Sequence, residues 1–519
     1  MDKSKRYYVT TPIYYVNDVP HIGHAYTTLA CDVLARFKRL DGFDVKFLTG
    51  TDEHGQKVEK SANDKGVDPQ TFTDTVSQNF RDLLGTMNFS ADDFIRTTEE
   101  RHKISVQALW KRLIDAGEIY LGSYSGWYAV RDEAFYGEGE LVKDKDGNKV
   151  APSGAPVEWV EEPSYFFKLS AWQDKLLKFY DDNPDFIAPK SRRNEVTSFV
   201  SGGLNDLSVS RTTFKWGIPV PGDDAHIMYV WLDALTNYIT AVGFPETETG
   251  EYATYWPADL HMVGKDILRF HAVYWPAFLM AAGLQPPKRV FAHGWWTNEG
   301  QKISKSLGNV IDPIELVSTY GLDQVRYFLL REVPFGNDGD FSRSAMVGRM
   351  NSELANDLGN LAQRVLSMVN KNCDGSVPKH GEFNPDDNTM LASAHTMIDG
   401  VKKHIDNQSF NDALEVIWLV IRASNAYVDA QAPWKLKKED PARMETVLYV
   451  LVETIRHIAL MLQPFMPDTM GKMLDQLAIS HEHRSFRFLG SAHALVSGTA
   501  LPTPEGVFPR FVAEEEKGA

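Results

Sequence analysis

Cysteine is nearly absent: the chain has two in 519 residues, Cys31 and Cys373, far apart and without partners nearby. That spacing argues against a disulfide framework and against a Cys-rich zinc site. Long hydrophobic runs are missing too, and Met1 to Lys5 is polar. No membrane span or leader is therefore expected, and residence in the cytoplasm is. Positive charge is in deficit, with 54 Lys+Arg against 70 Asp+Glu and a net charge of −16. Such a balance argues against a protein that coats nucleic acid indiscriminately, and leaves room for a partner held by local basic patches. Glu514-Glu515-Glu516 reads as part of a solvated tail, and no internal repeat or low-complexity tract occurs. What remains, 43% hydrophobic and 24% charged, is an ordinary globular chain long enough for three or four domains.

The pattern begins strand, loop, helix. Tyr7, Tyr8 and Val9 lead through Thr10 to Ile13, and Leu29, Val33, Phe37 and Leu40 then recur at helical spacing before Gly42. Val45 to Leu48 reads as the next strand, opening into Gly50-Thr51-Asp52-Glu53-His54-Gly55. This start predicts a parallel sheet with ligands at the carboxyl ends of its strands. From 116 to 225 the pattern turns irregular, with Gly, Pro and charge clusters, and is expected to be an inserted domain. Alternation resumes with a strand at His261–Gly264, a helix over Ile267–Ala282 and a strand at Arg289–Ala292. Beyond Ser344 only helical patterns survive. Leu354, Leu358, Leu361, Val365 and Met368 make one stripe, and Ala413–Val428 and Val447–Leu462 are further apolar helices. The expected division is 1–115 and 226–295 for the two halves of a nucleotide fold, 116–225 for the insertion, 296–343 for a lysine loop and its surroundings, and 344–519 for a helix bundle.

Two short motifs carry the chemistry. About 0.03 copies of His-x-Gly-His are expected by chance in a chain with 15 His and 37 Gly, yet His21-Ile22-Gly23-His24 is present. At the amino end of a helix, backbone N–H groups and the dipole favour phosphate, and Gly23 lets a nucleotide come close. The imidazoles can donate to phosphate oxygens as charge builds at the transition state. A metal site is the rival reading, but no third ligand stands nearby. Lys302-Ile303-Ser304-Lys305-Ser306 places two charges three residues apart on a loop with Gly300 and Gly308, able to close on a leaving pyrophosphate. An ordinary solvated loop is the plainer alternative.

Taken together, these motifs resemble the HIGH and KMSKS signatures of class I aminoacyl-tRNA synthetases, with Ile303 where Met is usual. Thr11 to Asn17, Gly50 to Gly55, Tyr229 to Ala234, Gly264 to Ile267, His271 to Trp275 and Ala432-Pro433-Trp434 are similar to the methionyl-tRNA synthetase family, and the likeness spans nearly the whole chain. It implies a Rossmann-type parallel-sheet catalytic domain split by a connective insertion and followed by an all-α anticodon-binding bundle. It also implies catalytic roles for His21, His24, Lys302 and Lys305. ATP would be held by these lysines with Gly23, Gly264, Asp266, His293 and Gly294, and Mg²⁺ would arrive with ATP. The methionine pocket would comprise Ile13, Tyr15, Trp231, Ala234, Leu235, Tyr238, His271 and Trp275, with Asp52 for the ammonium and Arg211 for the carboxylate. An aromatic wall and a buried counter-charge suit an unbranched thioether with an ammonium group; core packing is the alternative for any single aromatic. Asn360, Arg364 and Trp434 would read the anticodon of tRNA(Met), although a solvated polar pair and a half-buried tryptophan are the simpler alternative.

Where many members of the family carry Cys-x-x-Cys zinc knuckles, this chain has Tyr128 to Glu133 with no cysteine, so no zinc and no dedicated metal site is expected. The insertion is short for an editing domain, and the bundle is followed only by a short tail, so a monomer is expected. Two other functions compete: a nucleotidyltransferase that activates a small acid without tRNA, and a non-catalytic RNA-binding relative. The extra bundle disfavours the first, and the intact histidine and lysine pairs disfavour the second.

Overall fold

The computed structural model describes residues 5–16, 19–132, 134–303 and 308–512. Lys305, with Ser304 and Ser306, lies outside the described residues, as do Asn17, Glu133 and Glu514 to Glu516. Two compact units emerge. The first comprises Met1–Pro20, Lys46–Gly85 and Ser90–His293; the second comprises His21–Val45, Thr86–Phe89 and Gly294–Ala519. Helix α1, Ile22–Leu40, thus belongs with the C-terminal half of the chain.

In the first unit the strands β1 (Arg6–Thr10), β2 (Tyr14–Tyr15), β3 (Asp44–Asp52), β4 (Asp93–Arg96), β5 (Ile187–Ala188), β6 (Leu260–Gly264) and β7 (Val290–His293) form one sheet. Their order is β5-β7-β6-β1-β3-β2, with β4 also against β3. Pairings such as Val9↔Leu260, His261↔Val290 and Thr49↔Phe94 are parallel. Successive strands depart from β1 in both directions, so the crevice beyond its carboxyl end is where such sheets bind ligands. Asp52, Gly264 and His293 are the last residues of β3, β6 and β7. Gly50 is dictated by the neighbouring strand: a Cβ there would lie 2.0 Å from the Ile95 carbonyl oxygen. Helix α2 (Glu100–Asp115) buries Val106, Leu109, Trp110 and Leu113 at 3–4-residue spacing, worth about 1.5–3 kcal/mol for each large side chain. A short helix, α3 (Val230–Leu235), follows the strand Asp223–Met228.

The insertion is more regular than its sequence suggests. Ile119–Ala129 pairs antiparallel with Glu158–Phe167 over ten positions, flanked by Ala134–Tyr136 and Leu207–Ser208. Glycine, proline and charge clusters between these strands disguise the hairpin. Its tip is held by hydrogen bonds around Asp132, which accepts from Tyr136 and Ser153, over a small core of Ala129, Ala151 and Ala155.

The helix expected over 267–282 is broken into a 3₁₀ turn at Lys265–Ile267, a π turn at Phe270–Tyr274 and an α-helix at Trp275–Ala281. Pro276 accounts for the π turn. It has no N–H for the carbonyl four residues back, and that carbonyl, of Ala272, instead accepts from Tyr180 Oη at 2.7 Å.

In the second unit α1 joins α4 (Leu322–Arg331), α5 (Asn360–Asn372), α6 (Pro385–Asp406), α7 (Phe410–Gln431) and α8 (Pro441–Leu462). Arg326 of α4 is fully buried and satisfied, donating to Asp32 of α1 at 2.7 Å and to the Met87, Pro464 and Phe465 carbonyls. Lys38 of α1 pairs with Asp406 of α6 at 2.6 Å, and Lys402 of α6 pairs with Asp41, the residue that ends α1, at 2.7 Å. The expected stripe is buried at Leu354, Leu358, Leu361 and Val365, but Met368 is only half-buried, and the seam continues through Leu366 and Val369. Residues Met350–Gly359 bond in a π pattern, whose wider turn shifts the helical phase.

Candidate active site

His21 is the N-cap of α1, an unusual residue for that position. Its Nδ1 accepts from the Gly23 N–H at 3.1 Å, and His24 Nδ1 accepts from the His21 N–H at 3.1 Å. A neutral imidazole that accepts through Nδ1 carries its hydrogen on Nε2. Both rings therefore present an Nε2–H donor. They stack with centroids 3.9 Å apart. Burial and then the adjacent His21 push the His24 imidazole well below its ordinary value, which keeps it uncharged at neutral pH.

Contrary to the reading from the helix terminus alone, the first backbone donors are occupied. Ile22 N–H bonds the Ile311 carbonyl, Gly23 N–H bonds the His21 ring, and the N–H groups of His24 and Ala25 bond the His21 carbonyl. The imidazole edges, rather than the backbone, carry the donor chemistry here. Gly23 has a local cause as well, since a Cβ would fall 2.9 Å from His21 Cε1.

Lys302 is exposed and ends a hairpin, Trp296–Asn298 with Gln301–Lys302, that turns through Glu299 and Gly300, both at positive φ. Asn309 Nδ2 donates to the Lys302 carbonyl at 3.0 Å, and Asn298 Nδ2 to the Asn309 carbonyl at 2.9 Å. Asn309 is thus tied to both Lys302 and Asn298, and two residues later Ile311 holds the first N–H of α1. Gly294 is required by packing: a Cβ would lie 2.3 Å from the Asn337 backbone.

The candidate methionine residues all lie in the first unit. Tyr238, His271 and Trp275 are buried, Ala234 and Leu235 lie on the α3 turn, and Ile13 and Trp231 pack against the same core at its margin. His271 Nδ1 donates to the Ile267 carbonyl at 2.9 Å, so its Nε2 is the acceptor, and Tyr238 Oη donates to it at 2.6 Å. Burial pushes the His271 imidazole down to about 4. Beneath Tyr238 lies His261, 4.0 Å away ring to ring, accepting from Trp275 Nε1 at 3.3 Å and donating to Thr10 Oγ1 at 2.8 Å. Asp52 ends β3 opposite Tyr15, over which the Lys57 ammonium sits. Arg211 is buried against the face of Tyr229, two residues before Trp231, with Nη1 bonded to Ser208 and Ser210. A Cβ at Gly264 would lie 2.5 Å from the Asp266 carboxylate and displace it, and Gly264 pairs in register with His293.

The profile of the family described as tRNA synthetases class I (M) matches residues 7–366, and that of the anticodon binding domain of methionyl tRNA ligase matches 377–518. The chain belongs to the methionyl class I tRNA synthetases. It is 61% identical to the methionine–tRNA ligase of Rickettsia bellii, covering 97% of this chain and 99% of the relative, and 57% identical to that of Mesorhizobium japonicum, covering 99% of each. A Mycobacterium tuberculosis methionyl-tRNA synthetase in complex with methionyl-adenylate superposes with a TM-score of 0.95 at 55% identity, covering 98% of this chain and all of the other.

Within this synthetase fold the three residues expected at the anticodon are partly assembled. Arg364 sits 5.6 Å above the Trp434 ring and 3.0 Å from Asp429, while Asn360 is exposed one turn earlier on α5. Trp434 is 44% exposed. Ala432 closes α7 in the left-handed region (φ 43°), a conformation that costs a non-glycine residue about 1 kcal/mol, and turns the chain into the short helix Pro433–Glu439.

Several residues escaped the sequence reading. Phe270 stacks on Trp231 with centroids 3.5 Å apart; its place beside His271 was the only cue. His261 and Thr10 looked like ordinary strand residues. Lys435, Lys437 and Lys438, exposed beside Trp434, form a small basic patch that the net charge concealed.

Among the described residues, His395, Glu453 and His457 bring three ligand-type atoms within 4.8 Å. Two of the three are already engaged. Glu453 is bidentate to the buried Arg456, and His457 donates to the Glu453 carbonyl and accepts from the Gly490 N–H. A guanidinium in place repels a dication, so the donor set does not suit a metal.

Proposed function

We propose that the pocket of the first unit binds methionine, and that the start of α1 with the lysine segment handles the triphosphate. The reaction is ATP-dependent activation of L-methionine followed by transfer to tRNA. A methionine carboxylate oxygen bonds the α-phosphorus of MgATP, the bond to the bridging oxygen breaks, and pyrophosphate leaves. The 2′-hydroxyl of the tRNA's terminal adenosine then attacks the acyl carbon and AMP departs. In this reading Tyr238, His271, Trp231, Trp275, Ile13, Tyr15, Ala234 and Leu235 surround the thioether side chain, Asp52 receives the ammonium and Arg211 faces the carboxylate. Gly264, Asp266, His293 and Gly294 lie at the nucleoside. His21 and His24 donate through Nε2 as charge grows on the phosphates, with Lys302 and Lys305 neutralising the leaving group. Catalysis is then positioning plus charge stabilisation, without a covalent enzyme intermediate.

The observation that carries this reading is the pair of Nε2 donors fixed by backbone capping at the start of α1, in a chain so close to an adenylate-bound synthetase. The reading keeps the segment roles as expected, nucleotide fold at 1–115 and 226–295, connective insertion at 116–225, lysine loop and stem contacts at 296–343 and anticodon domain at 344–519, except that Ile187–Ala188 within 116–225 is an edge strand of the nucleotide-fold sheet. It includes a zinc-free monomer working in the cytoplasm, with the insertion tip held by Asp132 where many relatives use a metal knuckle. Anticodon bases stack on Trp434 beside Arg364 and Asn360.

The test is methionine-dependent exchange of pyrophosphate into ATP across a panel of amino acids, paired with tRNA charging. Methionine alone should support efficient exchange. Trp434→Ala should lower charging efficiency about 5–150-fold, the worth of one stacked base, while exchange holds within about twofold. Exchange with leucine or cysteine but not methionine overturns the pocket, and equal loss in both assays overturns the anticodon role.

A further inference from the structure

One buried cluster in the first unit takes no part in the chemistry above. Asp233 lies on α3 within the same turns as Trp231, Ala234 and Leu235, and is fully buried. Its two carboxylate oxygens are divided between two imidazoles. Oδ2 accepts from His54 Nδ1 at 2.6 Å, and Oδ1 accepts from His102 Nε2 at 2.7 Å. His102, on α2, is fully buried and meets Thr240 Oγ1 through its other nitrogen at 3.2 Å; His54 is 4% exposed. Burial alone would raise Asp233, but the two histidines hold its carboxyl down to about 2. The bridge is anionic and accepts at both ends.

Its placement gives it a task. His54 is two residues from Asp52 on the segment that leaves β3. That segment is fastened on its other sides as well: Glu53 is bidentate to Arg96 at 2.7 and 3.0 Å, and Gly55 N–H bonds the Trp216 carbonyl at 3.0 Å. The bond from His54 to Asp233 ties this fastened segment to the α3 turn. An amino acid held by its ammonium at Asp52 and by its side chain at α3 is measured by the distance between those two places.

We infer that Asp233, bridging His54 and His102, is a positioning residue that sets the spacing between the ammonium-binding carboxylate and the side-chain wall, and so selects amino acids by side-chain length. The inference rests on the methionine reading of this pocket. An asparagine has nearly the same shape, but its amide nitrogen cannot accept, so one imidazole loses its partner and the α3 turn loses its fixed distance from Asp52.

The experiment is pyrophosphate exchange by the full-length enzyme with methionine, homocysteine, norleucine and ethionine, for the unsubstituted protein, Asp233→Asn and Ser105→Ala. Ser105→Ala removes another buried bond of α2, from Ser105 Oγ to the Phe244 carbonyl at 2.6 Å, and serves as a purely structural control. Asp233→Asn should raise the methionine KM about tenfold or more with kcat within about threefold, and should compress the preference for methionine over ethionine and homocysteine about tenfold, the scale of one methylene. Ser105→Ala should shift thermal unfolding and leave those ratios alone. If Asp233→Asn fails to fold, His54→Asn, which keeps a donor toward Asp233 at altered reach, is read the same way. An equal loss for all four amino acids, or an unchanged methionine KM, overturns the positioning role. Absence of methionine-dependent exchange in the unsubstituted protein overturns the methionine reading itself, which separates the two failures.

Discussion

The start of α1 and the wall of the proposed methionine pocket use the same side chain in opposite ways. His21 and His24 accept backbone N–H bonds at Nδ1 and so present Nε2 as a donor. His271 donates Nδ1 to the Ile267 carbonyl and so presents Nε2 as an acceptor, which Tyr238 fills. In each place the backbone partner chooses the tautomer, and the tautomer fixes whether Nε2 donates, as at the helix start, or accepts, as it does from the Tyr238 hydroxyl. Burial keeps the His24 and His271 rings neutral. What separates them is the polarity of one main-chain group.

The sharpest way to break this comparison is to remove one donor. His24→Ala should lower the turnover of methionine-dependent pyrophosphate exchange about 10²–10³-fold, the usual effect of losing one donor to developing negative charge. The methionine KM should stay within about twofold. Some stability is lost too, on the order of 0.5–2 kcal/mol for a disrupted cap, so thermal unfolding is followed alongside. A variant whose methionine KM rises while turnover holds would put His24 with the pocket.

A smaller effect is expected on the acceptor side. Tyr238→Phe leaves His271 Nε2 buried without its donor, at a cost of about 1–3 kcal/mol. If that cost falls on the liganded pocket, the methionine KM rises about 5–150-fold with turnover much less affected. Equal falls in turnover and in kcat/KM would instead place the Tyr238 hydroxyl at the reacting atoms.

The same contrast explains what could be read from the chain beforehand. The residues proposed to handle phosphate stand out because they cluster in short motifs, and β1, α1, β3 and the C-terminal helices followed from hydrophobic period. The tautomers were not legible, since they depend on the Ile267 carbonyl and on a histidine acting as its own helix cap. Nor was it foreseeable that the backbone donors at the start of α1 are already used, because one of them is taken by Ile311, nearly three hundred residues away. Phe270, His261 and the Asp233 bridge went unseen for a related reason: they support the pocket from behind, on strands and helices whose local pattern is that of ordinary core. Pro276 was visible in the sequence, yet its effect on the 270–281 stretch depends on Tyr180 being there to take the abandoned carbonyl.

The finest test concerns charge on the buried ring. In the unfolded chain His271 titrates near 6.5, and in the fold burial lowers it to about 4. On acidification the unfolded state takes up its proton first, so the contribution of this residue to stability is complete above about pH 7 and falls as pH drops from 6.5 toward 4. At pH 5 the loss should be about 2 kcal/mol. His271→Gln has no proton to gain, so the loss of stability between pH 7.5 and pH 5 in urea denaturation should be about 2 kcal/mol smaller in that variant than in the unsubstituted protein. Methionine affinity of the unsubstituted protein should likewise be level from pH 8 to 6 and weaken only as pH approaches 4, because a protonated Nε2 can no longer accept from Tyr238. Matching acid responses in the two proteins would mean that the ring charges freely inside the fold; the acceptor edge, and with it the opposition between pocket and helix start, would then be lost.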